Sequence, residues 1–204
     1  PKLTTPTYEL EIPSTDEKIK FRPFLVKEEK ILMMAMESKK SADIVQAVKD
    51  IVNECTFNKI NISDMPMFDV EYIFLQIRSK SVGEVSELRI LCPDDGKTYG
   101  NVSLDLNDVK VQVGDDHTNK IELGNGTGMI MKYPTIDSFR ESGIQDINAS
   151  NMLEVIGTCI LQIYEEEGKK VYDPKDQTKK EVSEFIEQLT TEKFKEVQKF
   201  FDTM

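Results

Sequence analysis

The stretch Tyr8-Glu9-Leu10-Glu11-Ile12, Pro13-Ser14-Thr15-Asp16, Ile19-Lys20-Phe21-Arg22-Pro23-Phe24, followed by two helical patterns that close on Cys55, decides the fold of this chain. Tyr8, Leu10 and Ile12 alternate with Glu9 and Glu11, while Ile19 and Phe21 alternate with Lys18, Lys20 and Arg22. That period of two is the pattern of a half-buried strand. The turn between the runs makes them a hairpin in which acids of one strand face bases of the other. Each such pair contributes only ~0.2–1 kcal/mol, so the apolar face must carry the pairing.

Outward from the hairpin, Pro23 ends the second strand, and Lys27 to Glu37 reads as a helix of good helix formers. Ile31, Leu32, Ala35 and Glu28 share one face of it. Met33, Met34 and Met36 extend apolar surface beyond that face, where flexible thioethers either fill an irregular core or form an adaptable docking groove; filling gaps is the commoner use of methionine. Ser41 and Asp43 open the next helix. Its Ile44, Val45, Val48, Ile51, Val52 and Cys55 lie on one face, each aliphatic contributing about 1.5–3 kcal/mol when buried. After a polar loop anchored by Phe57, Ile60 and Ile62, Asp64 and Pro66 start a third helix running to about Lys80. Phe68, Tyr72, Leu75 and Arg78 share one face, and Val70, Ile73, Phe74 and Ile77 widen the apolar side to most of the circumference.

From Gly83 the period changes to two. Val85, Leu88, Ile90 and Cys92 lead into the turn Pro93-Asp94-Asp95-Gly96-Lys97, and Val102, Leu104 and Leu106 lead out. Val109, Val111 and Val113 read as another strand, and Ile121–Leu123 pairs with Met129–Tyr133 across Gly124-Asn125-Gly126-Thr127-Gly128. The expectation is one small antiparallel sheet of about four to five strands. Pro134 to Phe139 starts a short helix or irregular turn. Asn148 or Ser150 then caps a long helix carrying Met152, Val155, Ile156, Cys159, Ile160 and Ile163 at 3.6 spacing, with Glu165-Glu166-Glu167 set against the dipole at its carboxy end. Val171-Tyr172 is a short strand broken by Asp173-Pro174. Glu181–Leu189 is a helix, and Thr190 or Thr191 caps a last one with Phe194, Val197, Phe200 and Phe201 on its apolar side. Part of this aromatic surface packs at home and part is the best candidate for a partner face.

Composition narrows the function classes. With 204 residues and 39% apolar side chains the chain can bury one full core, or one core and a smaller lobe. Its formal net charge of −11 repels phosphate backbones, so nucleic-acid binding is not expected outside a local cluster such as Lys179-Lys180. Cys55, Cys92 and Cys159 each lie in or beside an apolar pattern and read as buried free thiols of a reducing cytosol. No apolar run approaches the roughly 18 residues of a spanning helix, so no membrane insertion is expected. The Asn-x-Ser/Thr triplets at Asn61, Asn101, Asn125 and Asn148 read as loops and helix starts.

Catalytic and metal chemistry finds little to work with. His117 is the single histidine and sits in the polar loop Gly114–Asn119, so any triad would rest on a loop residue. Cys92-Pro93 resembles half of a zinc knuckle whose partner cysteines are missing, and Asp94-Asp95-Gly96 lacks the closing Glu of a calcium loop. Gly124–Gly128 has no Gly-Lys-Ser/Thr ending and no following helix, which leaves a hairpin tip as its reading. No cofactor is expected. If the chain were an enzyme, Asp94, Asp95 and His117 would be the polar cluster to test.

Ile12-Pro13-Ser14-Thr15, then Phe21-Arg22-Pro23-Phe24-Leu25-Val26-Lys27-Glu28-Glu29-Lys30 and Met36-Glu37-Ser38, resembles the amino-terminal signature of the T-even-type phage baseplate hub subunit family. Leu189-Thr190-Thr191-Glu192-Lys193-Phe194 with Phe200-Phe201-Asp202-Thr203-Met204 is similar to the same family's end. The resemblance implies a non-enzymatic protein acting in assembly of the central tail hub, as a chaperone-like factor or a built-in subunit. The partners it implies are other hub proteins and the tape-measure protein, met in the cytoplasm of an infected bacterium, with homo-oligomers also possible.

The reading is therefore an α+β protein. An N-terminal hairpin packs on a helical core over 1–82, a small antiparallel β insertion spans 83–133, and C-terminal helices over 134–204 return to the core. The expected contact residues are Met33, Met34 and Met36 and the face of Phe194, Phe200 and Phe201.

Overall fold

A computed structural model describes residues 3–138, 151–165 and 168–204. The chain is α+β and divides into two compact units, 1–111 and 112–204.

In the first unit, β1 (Tyr8–Glu11) and β2 (Lys18–Phe21) form the expected hairpin, with Glu9 opposite Lys20 and Glu11 opposite Lys18. The Lys20–Glu9 ion pair is long, at 3.7 Å, and exposed, so the hairpin is held from its other face by buried Ile12, Ile19 and Phe21. Helices α1 (Val26–Ser38), α2 (Ser41–Cys55) and α3 (Met67–Val82) follow. The core is built from Ala47, Ile51, Val52 and Cys55 of α2 and Val70, Ile73 and Ile77 of α3. On α3 the fully buried stripe is thus Val70, Ile73 and Ile77, while Phe68, Tyr72 and Leu75 are only half-buried. Pro66, not Asp64, stands at the N-cap of α3, because residues 62–64 form a separate 3₁₀ turn that drives Ile62 into the core. Phe57 does not anchor its loop: it holds a left-handed backbone, φ 62°, with its ring exposed.

Two polar tethers fix the hairpin to these helices. The Arg22 backbone N–H donates to the Cys55 carbonyl at 3.0 Å, and the Arg22 guanidinium meets Glu28 at 2.9 Å and the Pro23 carbonyl at 3.0 Å. In the β1–β2 turn, Ser14 donates its N–H, at 3.1 Å, and its hydroxyl to the fully buried Asp69 carboxylate of α3.

Beyond Gly83, β3 (Val85–Leu91) and β4 (Tyr99–Asp105) pair only with each other among the described residues. Residues 109–113, expected as a strand, are not one; the chain passes from β4 into a 3₁₀ turn that buries Leu106.

The second unit holds a four-stranded antiparallel sheet in the order β5 (Lys120–Gly124), β6 (Thr127–Met131), β7 (Ile160–Glu165), β8 (Lys170–Tyr172). The strands grouped over 83–133 by sequence therefore go to two sheets. β5 and β6 join through Asn125 and Gly126, both at positive φ, the backbone that a two-residue hairpin turn requires. The long late helix is corrected to α4 (Met152–Thr158) followed by β7. Gly157 and Thr158 weaken the helix, and Ile160, Leu161, Ile163 and Tyr164 are better placed on a pleat, where β6 supplies their hydrogen-bonding partner. Glu165 therefore ends a strand and opposes no helix dipole; Glu166, Glu167, Asn148 and Ser150 lie outside the described residues. Residues 136–138 begin helically, with Ser138 N–H donating to Thr135 Oγ1 at 3.1 Å. Helices α5 (Lys179–Glu187) and α6 (Thr191–Asp202) close a core of Ile121, Met129, Met131, Ile156, Cys159, Ile160, Val182, Ile186, Val197 and Phe200. The closing helices thus build their own core with this sheet.

Candidate partner-binding surfaces

The α1 surface follows from how that helix is seated. Leu25 offers no capping side chain, and Glu28 reaches back to accept the Leu25 N–H at 2.7 Å. Burial works against the Glu28 charge. Arg22, the Leu25 N–H and Lys27 overcome that cost and hold its carboxyl below the ordinary glutamate value. With Glu28 turned inward, the buried stripe runs through half-buried Leu32 to buried Ala35, and small Ala35 lets α1 pack against α2. Steps of 100° per residue place Met33, Met34 and Met36 off that stripe. They are 57%, 60% and 61% exposed. The thioethers fill no gap in the core, and with exposed Val26 and Ile31 they put apolar surface in water among the exposed charges of Lys27, Glu29, Lys30 and Glu37.

The C-terminal aromatic face divides. Helix α6 is capped by Thr190, whose hydroxyl accepts the Lys193 N–H at 3.3 Å, and it buries Val197 and Phe200. Phe200 is 2% exposed and is core, which corrects its reading as a contact residue. Its ring lies 5.1 Å from His117 and 5.6 Å from Tyr133, and those two rings stack at 5.6 Å. Phe194 and Phe201 are half-buried against the same core, with Phe201 edge-on to Phe200 at 5.2 Å. Nothing in the spacing of α6 could have revealed this, because the residues that enclose Phe200 come from a loop and a strand end far back in the chain.

The residues singled out for chemistry are engaged in structure. His117 Nδ1 lies 2.8 Å from Thr203 Oγ1, whose proton goes to the Lys199 carbonyl at 2.7 Å, so Nδ1–H is the donor. The Tyr133 hydroxyl then donates to Nε2 at 3.0 Å. Gly114 N–H to the Thr203 carbonyl, at 2.9 Å, and the Lys199–Asp116 ion pair complete a clasp on the end of α6. Asp95 accepts the Thr98 hydroxyl at 2.5 Å and the N–H groups of Thr98 and Lys97 at 2.9 Å, and these bonds lower its pKa to about 2. It locks the β3–β4 tip. Asp94 and Asp95 belong to the first unit and His117 to the second. Cys55 and Cys159 are buried, Cys92 is half-buried, and burial pushes the Cys55 thiol up to about 11. Among the described residues no group of three or more His, Cys, Asp or Glu side chains is placed to hold a metal.

The tethers described above fall on the stretches quoted for the amino-terminal resemblance: Ser14 in Ile12–Thr15, and Arg22 with Glu28 in Phe21–Lys30. A family model described as T4 bacteriophage base plate protein matches residues 5–204. The chain belongs to that family. No curated protein and no solved structure matches it. This baseplate protein has, among its described residues, no helix long and apolar enough to cross a membrane.

Proposed function

We propose that this baseplate protein is a non-enzymatic protein-binding factor in assembly of the central hub of the phage tail baseplate, with the α1 thioether surface as a contact face. The observation that carries the reading is the exposure of Met33, Met34 and Met36 beside a helix face already satisfied by Glu28, Leu32 and Ala35. Flexible, polarizable side chains suit a surface that meets partners of differing shape. The partners are other hub proteins and the tape-measure protein, met in the host cytoplasm. The non-enzymatic reading is supported by His117 and Asp95, whose polar atoms hold the protein's own turns. The net charge of −11 supports a protein over a nucleic-acid partner.

The test is quantitative mass spectrometry of finished particles, combined with a Met33→Ser, Met34→Ser, Met36→Ser variant supplied during infection. A fixed small copy number in particles makes it a permanent hub or tail subunit; abundance in lysate with absence from particles makes it a chaperone. Normal hub assembly by the folded triple variant would overturn the assignment of α1.

A further inference from the structure

The β3–β4 hairpin has an uncharged aliphatic face and pairs with no third strand among the described residues. Its register sets Ser86 opposite Leu104, Leu88 opposite Val102 and Ile90 opposite Gly100, and side chains of opposed residues share a face. One face therefore carries Leu88, Ile90, Val102 and Leu104 with no charged residue. The other mixes the charged and polar Glu87, Ser103, Arg89, Asn101 and Asp105 with Val85, Leu91 and Tyr99, and Arg89 lies 4.7 Å over the Tyr99 ring. Such a pattern normally buries its apolar face. Here Leu88, Ile90, Val102 and Leu104 are 40%, 47%, 44% and 38% exposed, and both strands lack a further neighbour among the described residues. A two-stranded ribbon with a bare aliphatic face is marginal in water unless something covers it.

The hairpin is nonetheless built to hold its shape. Asp95 locks the tip, and at the base the Leu106 N–H donates to the Glu84 carbonyl at 2.7 Å while the Leu106 side chain is buried. Between Glu84 and Asp105 the ribbon bears five carboxylates, Glu84, Glu87, Asp94, Asp95 and Asp105, against the two cations Arg89 and Lys97. Asp94 and Asp95 lie at one end of the apolar face and Asp105 at the other, beside Glu84, which is ion-paired with Lys80.

We infer that the Leu88, Ile90, Val102 and Leu104 face of the β3–β4 hairpin is the docking site for a basic partner protein, one presenting an aliphatic segment with lysine or arginine at both ends. Charge favours this over a second copy. Two copies bring together surfaces of the same sign, each chain carrying −11. A basic partner adds charge pairs at both ends of the face. Seven paired positions at ~3.3 Å each make the segment roughly 23 Å long. The inference deepens the hub-assembly reading by naming the partner's chemistry, and it rests on that reading for its setting.

The experiment places the photo-cross-linking residue p-benzoylphenylalanine at Val102 in the full chain, supplied during infection, and sequences the cross-linked segment. The expected result is a segment of another baseplate component with aliphatic side chains and Lys or Arg at both ends. For that purified component, Leu88→Ser should weaken binding at least tenfold with unchanged circular dichroism, and raising salt from 0.05 to 0.5 M should weaken it further. A cross-link to a second copy, to the chain itself or to a segment without flanking bases overturns the inference, as does no cross-link at all with normal particle yield. A basic segment on a protein outside the hub would keep the inference and overturn the hub reading. An acidic segment on a hub protein would do the reverse.

Discussion

Arg22 and Glu28 form an ion pair of 2.9 Å with side chains 10% and 2% exposed, closing the turn between β2 and α1. A buried pair of this kind adds less than its Coulomb attraction suggests, yet removing one partner strands the other charge and costs about 3–5 kcal/mol. Glu28→Gln should therefore lower stability at pH 7 by roughly that amount in urea unfolding. The Glu28 carboxyl is held below its ordinary value, so its contribution is present above the unfolded glutamate pKa and is lost as pH falls through the lower folded value. The wild type should lose stability across that acid window, and Glu28→Gln should lose less.

Asp69 has the opposite sign. Burial raises its pKa and the two Ser14 bonds only partly offset this, so its folded state holds a proton more readily than its unfolded one. Its contribution is favourable below the unfolded aspartate pKa and is lost as pH rises through the folded value. Asp69→Asn, which can still accept from Ser14, should leave the thermal midpoint at pH 7 unchanged or higher. Ser14→Ala, which leaves a buried carboxylate without its hydroxyl donor, should lower stability by about 1–3 kcal/mol.

Phe200→Ala should destabilise the second unit by about 3–5 kcal/mol, since it empties a core position among His117, Tyr133 and Val197. Phe200→Ser with Phe201→Ser should abolish that unit's thermal transition in scanning calorimetry. Serine at exposed Met33, Met34 and Met36 should each change stability by no more than about 0.5 kcal/mol. A large loss from the methionine variant would mean that α1 is buried in the isolated protein.

Gly128 admits the Tyr164 ring from the neighbouring strand. A Cβ there would lie 2.2 Å from Tyr164 Oη and 2.9 Å from the Ile121 carbonyl oxygen. Gly128→Ala should cost about 1–3 kcal/mol through overpacking. Tyr164→Ala should remove the ring clash and leave only the backbone contact, so the double mutant should be more stable than the sum of the single losses allows.

The chain by itself determined what local periodicity can encode. The β1–β2 hairpin and its charge register, α2 with its Ile51–Val52–Cys55 face, the turns at Pro93–Lys97 and Asn125–Gly126, and the last two helices are all readable because each is specified by near neighbours. The likeness of both ends to a baseplate family was legible too. Tertiary structure decided what periodicity leaves degenerate. Ile160 and Ile163 have the i, i+3 spacing of a helix face, yet pairing with β6, with a register shift between Ile130 and Met131, selected the strand. Val109, Val111 and Val113 alternate correctly but find no strand to pair with among the described residues, and alternation without a hydrogen-bonding partner makes no sheet. Phe200, expected on a contact face, went to the core, while Met33, Met34 and Met36 lie at the surface instead of filling core gaps, because burial depends on what other segments bring to a face. His117 and Tyr133 enclosed the one, and Glu28 with Ala35 had already turned α1 away from the other.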